Sequence, residues 1–356
     1  MNTAQTLLIP FEEYGTVTHV IGRGFIKLLN LRNNIRRNLF QDNTFSLEKD
    51  NANILSKHRI MCKAKPFVKW AGGKGLLLPK LEELLPANFD ELQNVTYVEP
   101  FVGGGAMLFH MLRTHKNITR AVINDINPDL IHCYELIVNN PYALINRLKT
   151  LESRYYHQKD RRTLYYECRE RFNCDDISAD ERAALFIFLN HTCFNGLYRV
   201  NANGKFNVPH GRYVHPLICN EELIMKNHEL LNSIDFVICT PGDYKQVLRR
   251  LSVNHPNFVY FDPPYRPLIN ESNFKEYSNV PFNDQQQEEL KEFCDRLGAR
   301  NCMVMVSNSD SLNLDGTSYF EQLYEGYDFQ RILAPRFINA DPAKRMKRTE
   351  VLIRNY

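Results

Sequence analysis

Apolar residues in this chain come in two rhythms. Short unbroken apolar runs at Val95–Glu99, Ala121–Asn124, 235–240, 258–261, 302–307 and 349–354 read as buried strands. Between them lie stretches of helical period. Gly75 to Leu85 carries Leu at 76, 77, 78, 81, 84 and 85, with Pro79 tolerable only in a first turn. Gly103-Gly104-Gly105 opens a helix through Leu112, and Asn127-Pro128 forms an N-cap and N1 pair for a helix to Val138. Residues 141–190 look helical throughout, ending in the apolar Ala183–Asn190. A loop rich in Asn and Gly, 195–212, carries a hairpin signal at Asn203-Gly204. Asn283 caps a helix ending near Gly298. Strands alternating with helices, interrupted by a helical block with a hairpin, predict a doubly wound α/β sheet with an inserted domain. Residues 1–62 show no sustained period and read as an extension.

Composition narrows the class. With 356 residues and 44% apolar content, including 22 Phe and 18 Tyr, the chain can build a large core. No apolar run approaches the roughly 18 residues a membrane helix needs, and the N-terminus lacks a secretion pattern. Nine scattered cysteines without a Cys-x-x-Cys pair read as reduced intracellular thiols, not as a zinc site. The net charge of +3 is uneven. Residues 1–65 hold ten Lys/Arg against five Asp/Glu, and residues 331–356 hold seven against two. Such a distribution reads either as ordinary surface charge or as a basic rim for a polyanion.

The most specific chemistry is Asp262-Pro263-Pro264-Tyr265, directly after Phe258-Val259-Tyr260-Phe261. Two prolines cannot continue a strand ladder, so an acid, two rigid carbonyls and an aromatic ring stand at a strand's carboxyl end, where open α/β sheets bind ligands. An exocyclic ring amine is a poor nucleophile because its lone pair is delocalised. If Asp262 accepts one amine proton and the Pro263 carbonyl the other, the lone pair localises on nitrogen, while Tyr265 stacks on the ring. Asp-Pro-Pro is also a generic turn, and these four residues leave adenine and cytosine, nucleic acid and small molecule all open. Cytosine C5 chemistry would require a thiol, commonly after a proline, and none of the cysteines follows one.

A second motif, Glu99-Pro100-Phe101-Val102-Gly103-Gly104-Gly105, lies between a strand and a helix, and Asp125 ends the next strand. Glycines there admit a ligand to the backbone, and the acid stands where ribose hydroxyls are held. Leu108 occupies the position of the third glycine in the dinucleotide fingerprint, so pyrophosphate binding is weakly supported. A nucleoside without phosphates fits better, S-adenosylmethionine being the obvious candidate. The bland alternative is a structural turn.

These motifs, with Phe67-Val68-Lys69-Trp70-Ala71-Gly72-Gly73-Lys74, Asn124-Asp125-Ile126-Asn127 and the loop Phe194 to Tyr213, resemble the Dam-type (D12 class) DNA adenine N6-methyltransferases from about Lys65 to Tyr356. The likeness is greatest to GATC-specific members such as the DpnII-type methylases. It implies a Rossmann-like catalytic domain in two pieces, 63–140 and 231–356, with a target-recognition domain at 141–230. It implies that Trp70, Lys74, Phe101, Gly103, Gly105, Asp125, Asp243, Tyr244 and Asp262 surround S-adenosylmethionine. By spacing alone, Asp243 is an unremarkable turn residue, Trp70 a core indole and Lys74 a solvated amine.

The resemblance also makes 194–209 the DNA-reading hairpin. Lys69 matches the reader of the first guanine. Arg199 is suited to guanine O6 and N7, worth roughly 1–3 kcal/mol of discrimination. Leu197 and Pro209 suit a thymine methyl, Phe194 inserts into the duplex, and Asn195 lies near the orphaned base. Asn201 and Arg212 hold phosphates. Lys205 and His210 depart from the family pattern, where an acid and an aromatic are common.

The expected partner is double-stranded DNA, with a cognate restriction endonuclease acting on the same site. The expected state is a monomer or weak dimer on DNA in the cytoplasm, nucleoid-associated or phage-encoded. Arg32, Arg36 and Arg37 of the extension offer further DNA contacts. Three competing readings are weaker. Cytosine N4 methylation usually has Ser or Thr in place of Asp262. A catalytically dead specificity subunit would not keep Lys74, Asp125, Asp262 and Tyr265 together. A nicotinamide oxidoreductase lacks its third glycine.

Overall fold

The computed structural model describes residues 63–266, 282–335 and 347–356. Arg32, Arg36 and Arg37 lie outside them. The described residues belong to one compact unit. Its centre is a seven-stranded sheet of β1 (Val95–Glu99), β2 (Ile118–Ile123), β3 (Asp235–Ile238), β4 (Asn257–Phe261), β5 (Met303–Ser309), β6 (Asp328–Pro335) and β7 (Lys347–Arg354), in the order β3-β2-β1-β4-β5-β7-β6. The first five strands in that order run parallel, and β7 pairs antiparallel with both β5 and β6. This is the Rossmann-like, doubly wound arrangement expected.

β1 and β4 are buried at every position, which explains their unbroken apolar runs. Successive side chains feed opposite faces. Tyr97, Phe258, Tyr260 and Met305 enter one core, and Val98, Val259, Phe261 and Val304 the other. The first core continues into α2 (Ala106–Thr114), which follows the short helix α1 (Leu78–Glu82), and into the block between β2 and β3. That block comprises α3 (Pro128–Asn139), α4 (Pro141–His157), α5 (Arg161–Phe172), α6 (Ala179–Thr192) and α7 (Glu221–Leu231). α6 is buried from Ala183 through Asn190 and packs against α3, α4 and α5. The second core is covered by α8 (Asp284–Gly298) and the short α9 (Tyr319–Leu323).

Caps set most boundaries. Asn127 accepts from Leu130 N with Pro128 in the first turn, and Asn283 forms a capping box with Gln286. Three expectations need correction. Helix 75–85 shrinks to α1, because Pro79 must sit in a first turn and Pro86 follows closely. The stretch 141–190 is three helices, restarted by the caps Asp160 and Ser178. The hairpin is thin, held by isolated bridges Val200–Phe206 and Cys193–His210 instead of a ladder. Helix α7 and strand β6 had no counterpart in the sequence reading.

Candidate active site

At the carboxyl end of β4 the chain breaks at Asp262. Lys74, only 4% exposed, reaches it from the segment before α1, with Nζ 2.7 Å from Asp262 Oδ1. Lys74 also donates to Gly72 O at 2.8 Å and lies 4.7 Å from the centre of the Tyr265 ring. Ser307 Oγ, on the neighbouring β5, donates to the same Asp262 Oδ1 at 3.0 Å and stands 3.0 Å from the Tyr260 hydroxyl. Both partners of the carboxylate therefore fall on Oδ1. Asp262 Oδ2 and the Pro263 carbonyl accept no hydrogen bond among the described residues. The Asp262 side chain keeps a fifth of its surface open.

The turn beyond is braced on both sides. Gln287 Nε2 donates to Pro264 O at 3.2 Å, and Asn308 joins Gln287 to the backbone of Arg266. The Tyr265 hydroxyl donates to Glu350 Oε2 at 2.7 Å, fixing its ring between Glu350 and Lys74. Burial pushes the Asp262 carboxyl above its ordinary range, and Lys74 opposes that rise. Burial likewise raises the Tyr265 phenol well above its usual value, with Asp262 and Glu350 adding to the shift. Glu99, fully buried on β1 and bonded by Tyr97, is also held well up by burial.

The glycine turn lies alongside. Gly103 and Gly105 have φ of +49° and +76°. A Cβ on Gly103 would sit 2.7 Å from Trp70 Cδ1, and one on Gly105 would sit 2.5 Å from the Tyr134 hydroxyl. Asp125 closes this turn: Oδ2 accepts from Gly103 N and Oδ1 from Asn127 N, both at 2.9 Å. Burial raises the Asp125 carboxyl, and those two N–H groups oppose the rise. A carboxylate thus already occupies an N–H that a pyrophosphate would need, and it would repel phosphate. Its oxygens retain lone pairs for hydroxyls. This gives the missing third glycine a physical counterpart.

Asn124 ties the next loop in, donating to Pro100 O and Gly242 O, while its own buried Oδ1 has no partner among the described residues. Tyr244 packs on Phe101, centroids 5.2 Å apart at 31°, and its buried hydroxyl is also unpartnered. Asp243 is exposed and caps Lys245 N at 2.7 Å. Trp70 stacks on Tyr198 at 5.8 Å. The glycines make room for Trp70 and Tyr134, and the acceptor carboxylates and aromatic faces around them suit a nucleoside with hydroxyl and ammonium groups.

The expected DNA-reading residues occupy the loop after α6. Phe194 is 49% exposed and its N–H bonds Pro209 O. Asn195 is exposed with φ +55°. Arg199 is exposed and uses Nε on Asn207 Oδ1 at 2.7 Å. Pro209 and Arg212 are exposed. Leu197 is half-buried against the core, and Asn201 Oδ1 accepts from Asn203 N and Lys205 N, so part of its amide holds the hairpin turn. Lys69 is exposed, with Nζ 4.1 Å from the Tyr213 ring centre. His210 fills its departure from the family pattern by packing on Tyr165 and bonding the Tyr155 hydroxyl at 3.1 Å.

Sequence reasoning did not find Ser307, Glu350, Gln287 or Asn190. Each acts through contacts with residues far along the chain, and none lies in a recognisable motif.

Residues 70–336 match the model of the D12 class N6 adenine-specific DNA methyltransferases. The chain belongs to this family and is an adenine-specific DNA methyltransferase. It is 42% identical over 297 residues to "Type II methyltransferase M.MjaIII" of Methanocaldococcus jannaschii, covering 82% of this chain and 99% of that one. It is 36% identical over 308 residues to "Type II methyltransferase M1.LlaDCHI" of Lactococcus lactis subsp. cremoris, covering 85% and 99%. A "DNA adenine methylase" of Haemophilus influenzae is 31% identical over 293 residues, covering 82% and 93%. The adenine-specific match disfavours the cytosine N4 alternative. Among the described residues no helix is long and apolar enough to cross a membrane.

Proposed function

We propose that this enzyme methylates adenine N6 within GATC, with S-adenosylmethionine as donor, after the target adenine swings out of the duplex. The observation that supports the reading is the division of labour on Asp262: among the described residues, one oxygen is bonded by Lys74 and Ser307, while the other and the Pro263 carbonyl accept no hydrogen bond. Extrusion is required because N6 is inaccessible to such a pocket within the stack, and it costs the few kcal/mol typical of base flipping. Asp262 Oδ2 then accepts a hydrogen bond from one N6–H and Pro263 O from the other, localising the nitrogen lone pair. Lys74 opposes the rise that burial imposes on the Asp262 carboxyl. Tyr265, anchored on Glu350, stacks on the purine.

Bound S-adenosylmethionine supplies an electrophilic methyl group. Asp125 would hold its ribose hydroxyls, Asp243 would lie near its adenine with Tyr244 packing on that ring, and Trp70, Lys74 and the Phe101–Gly105 turn would contact the rest of it. Phe194 fills the gap left by the extruded base, with Asn195 beside the orphan. Lys69 and Arg199 read guanines, and Leu197 and Pro209 meet thymine. Asn201 and Arg212 contact phosphates. We assign residues 141–230 to target recognition and 63–140 with 231–356 to catalysis. The names of the first two relatives favour a role beside a restriction endonuclease of the same site.

The test is methylation of a plasmid with purified protein and S-adenosylmethionine, followed by GATC nucleases of opposite methylation sensitivity. Resistance to the methylation-blocked nuclease is expected. Methyl incorporation at sites other than GATC would overturn the sequence assignment.

A further inference from the structure

We infer that Asn190 is a positioning residue that locks Lys69 to the Phe194–Gly196 turn and so sets recognition of the first guanine. The inference rests on the assignment of Lys69 as reader of that base. Asn190 lies near the end of α6 and is 4% exposed. Its Oδ1 accepts from Lys69 N at 2.8 Å. Its Nδ2 donates to Lys69 O at 2.8 Å and to Gly196 O at 3.0 Å. An amide has two donor hydrogens, so both are used. No other hydrogen bond to the Lys69 backbone occurs among the described residues.

Gripping both the N–H and the C=O of one residue fixes the peptide planes on either side of it, and with them the direction of its Cβ. Gly196 closes the other side. Its φ is +63°, and a Cβ there would lie 2.5 Å from Lys69 Cδ and 2.6 Å from Lys69 Cβ. The aliphatic stem of Lys69 therefore runs along a glycine that only the Phe194 turn supplies. The next residue, His191, places Nε2 3.0 Å from Phe67 O, so the end of α6 holds the 67–69 segment at two points. Trp70 follows directly and packs on Gly103 of the glycine turn. One buried amide thus joins the proposed base-reading turn to the irregular segment leading to Trp70 and the glycine turn. Phe186, Ile187 and Leu189, which precede it on α6, are core residues.

Asn190→Asp keeps the shape and removes both donors, turning a carboxylate toward two carbonyl oxygens. Using the full chain, kcat/KM is measured on GATC duplexes and on duplexes altered at each of the four positions. Discrimination at the first base should fall about tenfold, within the range that one guanine contact supplies, and discrimination at the other three should hold. In a Lys69→Ala background the same change should cost nothing further at the first base, because the two act as one unit. Fluorescence of Trp70, the chain's single tryptophan, should still report S-adenosylmethionine binding at wild-type affinity. Equal losses at all four bases, or losses additive with Lys69→Ala, would mean a structural role only and overturn the proposal. If Lys69→Ala itself spares the first base, the reader assignment falls and this proposal with it. If Lys69→Ala abolishes that discrimination and Asn190→Asp preserves it, the proposal alone falls. Should Asn190→Asp not melt cooperatively, Asn190→Ser, which is uncharged and retains one donor, is held to the same outcomes.

Discussion

The pocket at Asp262 and the loop at 194–212 are held in opposite ways. In the pocket, Lys74, Ser307, Gln287, Asn308 and Glu350 each spend hydrogen bonds on the Asp262–Arg266 turn. In the loop, Phe194, Asn195, Arg199, Pro209 and Arg212 are exposed, and the hairpin is held by two isolated bridges and by bonds through Asn201 and Asn173 that leave those side chains outside. The difference suits the proposed tasks. A reacting amine must meet acceptors already fixed in place, because reorganising them during reaction would cost rate. A DNA reader needs donors that can turn to bases, and the donors Arg199 spends inside the protein go to Asn207 on the same loop. Among the described residues the pocket leaves Asp262 Oδ2 and Pro263 O unspent, the two acceptors proposed to face the substrate amine.

The largest expected effect breaks the pocket side of this contrast. Asp262→Ala should lower methyl transfer on the order of 10³-fold, measured in single turnover, while cofactor affinity by fluorescence titration changes little. Turnover near wild type would remove Asp262 from its role. Lys74→Met is the next largest. Burial raises the Asp262 carboxyl and Lys74 pulls it back, so without Lys74 the carboxyl should rise further. Accepting an N6 proton requires the ionised form, which is present above the pKa and lost below it. The acid limb of the kcat/KM profile should therefore move to higher pH, and the deficit should be worst at low pH. A profile merely scaled down, with its limb unmoved, would contradict the pairing.

Arg199→Ala tests the loop side. Arg199 is exposed and its loss strands only Asn207, so melting temperature should hardly change. Discrimination against a guanine substitution should drop by about 1–3 kcal/mol, read as a ratio of kcat/KM on GATC and altered duplexes. An unchanged ratio would strike Arg199 from the readers.

The same contrast explains what the sequence revealed. Asp262 and its flanking strand were legible because burial on both faces makes β4 uniformly apolar and two prolines mark its end. Asn127 and Asn283 were legible as caps because capping is local. Lys74 was placed on the cofactor side by resemblance, and its ion pair with Asp262 spans residues no periodicity connects. Glu350 reaches Tyr265 only because β7 runs antiparallel beside β5, a pairing that no local pattern announces. Strand β6 escaped because its exposed positions, Arg331 and Leu333, lie on an edge strand with a broken apolar pattern. The hairpin was over-read: Asn203-Gly204 does mark a turn, with Gly204 at φ +72°, but the flanking segments make single bridges.

The smallest expected effect sharpens the loop side further, by separating residues that read from residues that only hold. Arg212 is exposed and makes no hydrogen bond or ion pair among the described residues, so its substitution should leave the fold intact. A phosphate contact releases counterions on binding, and each such contact contributes about −0.9 to the slope of log K against log salt. Arg212→Ala should therefore reduce that slope by about 1 and weaken binding to all duplexes alike. Fluorescence anisotropy at several salt concentrations, on GATC and non-cognate duplexes, measures both. A loss confined to GATC would make Arg212 a reader. An unchanged slope would take it off the DNA, and the reading face would then narrow to Lys69 and the residues between Phe194 and Pro209.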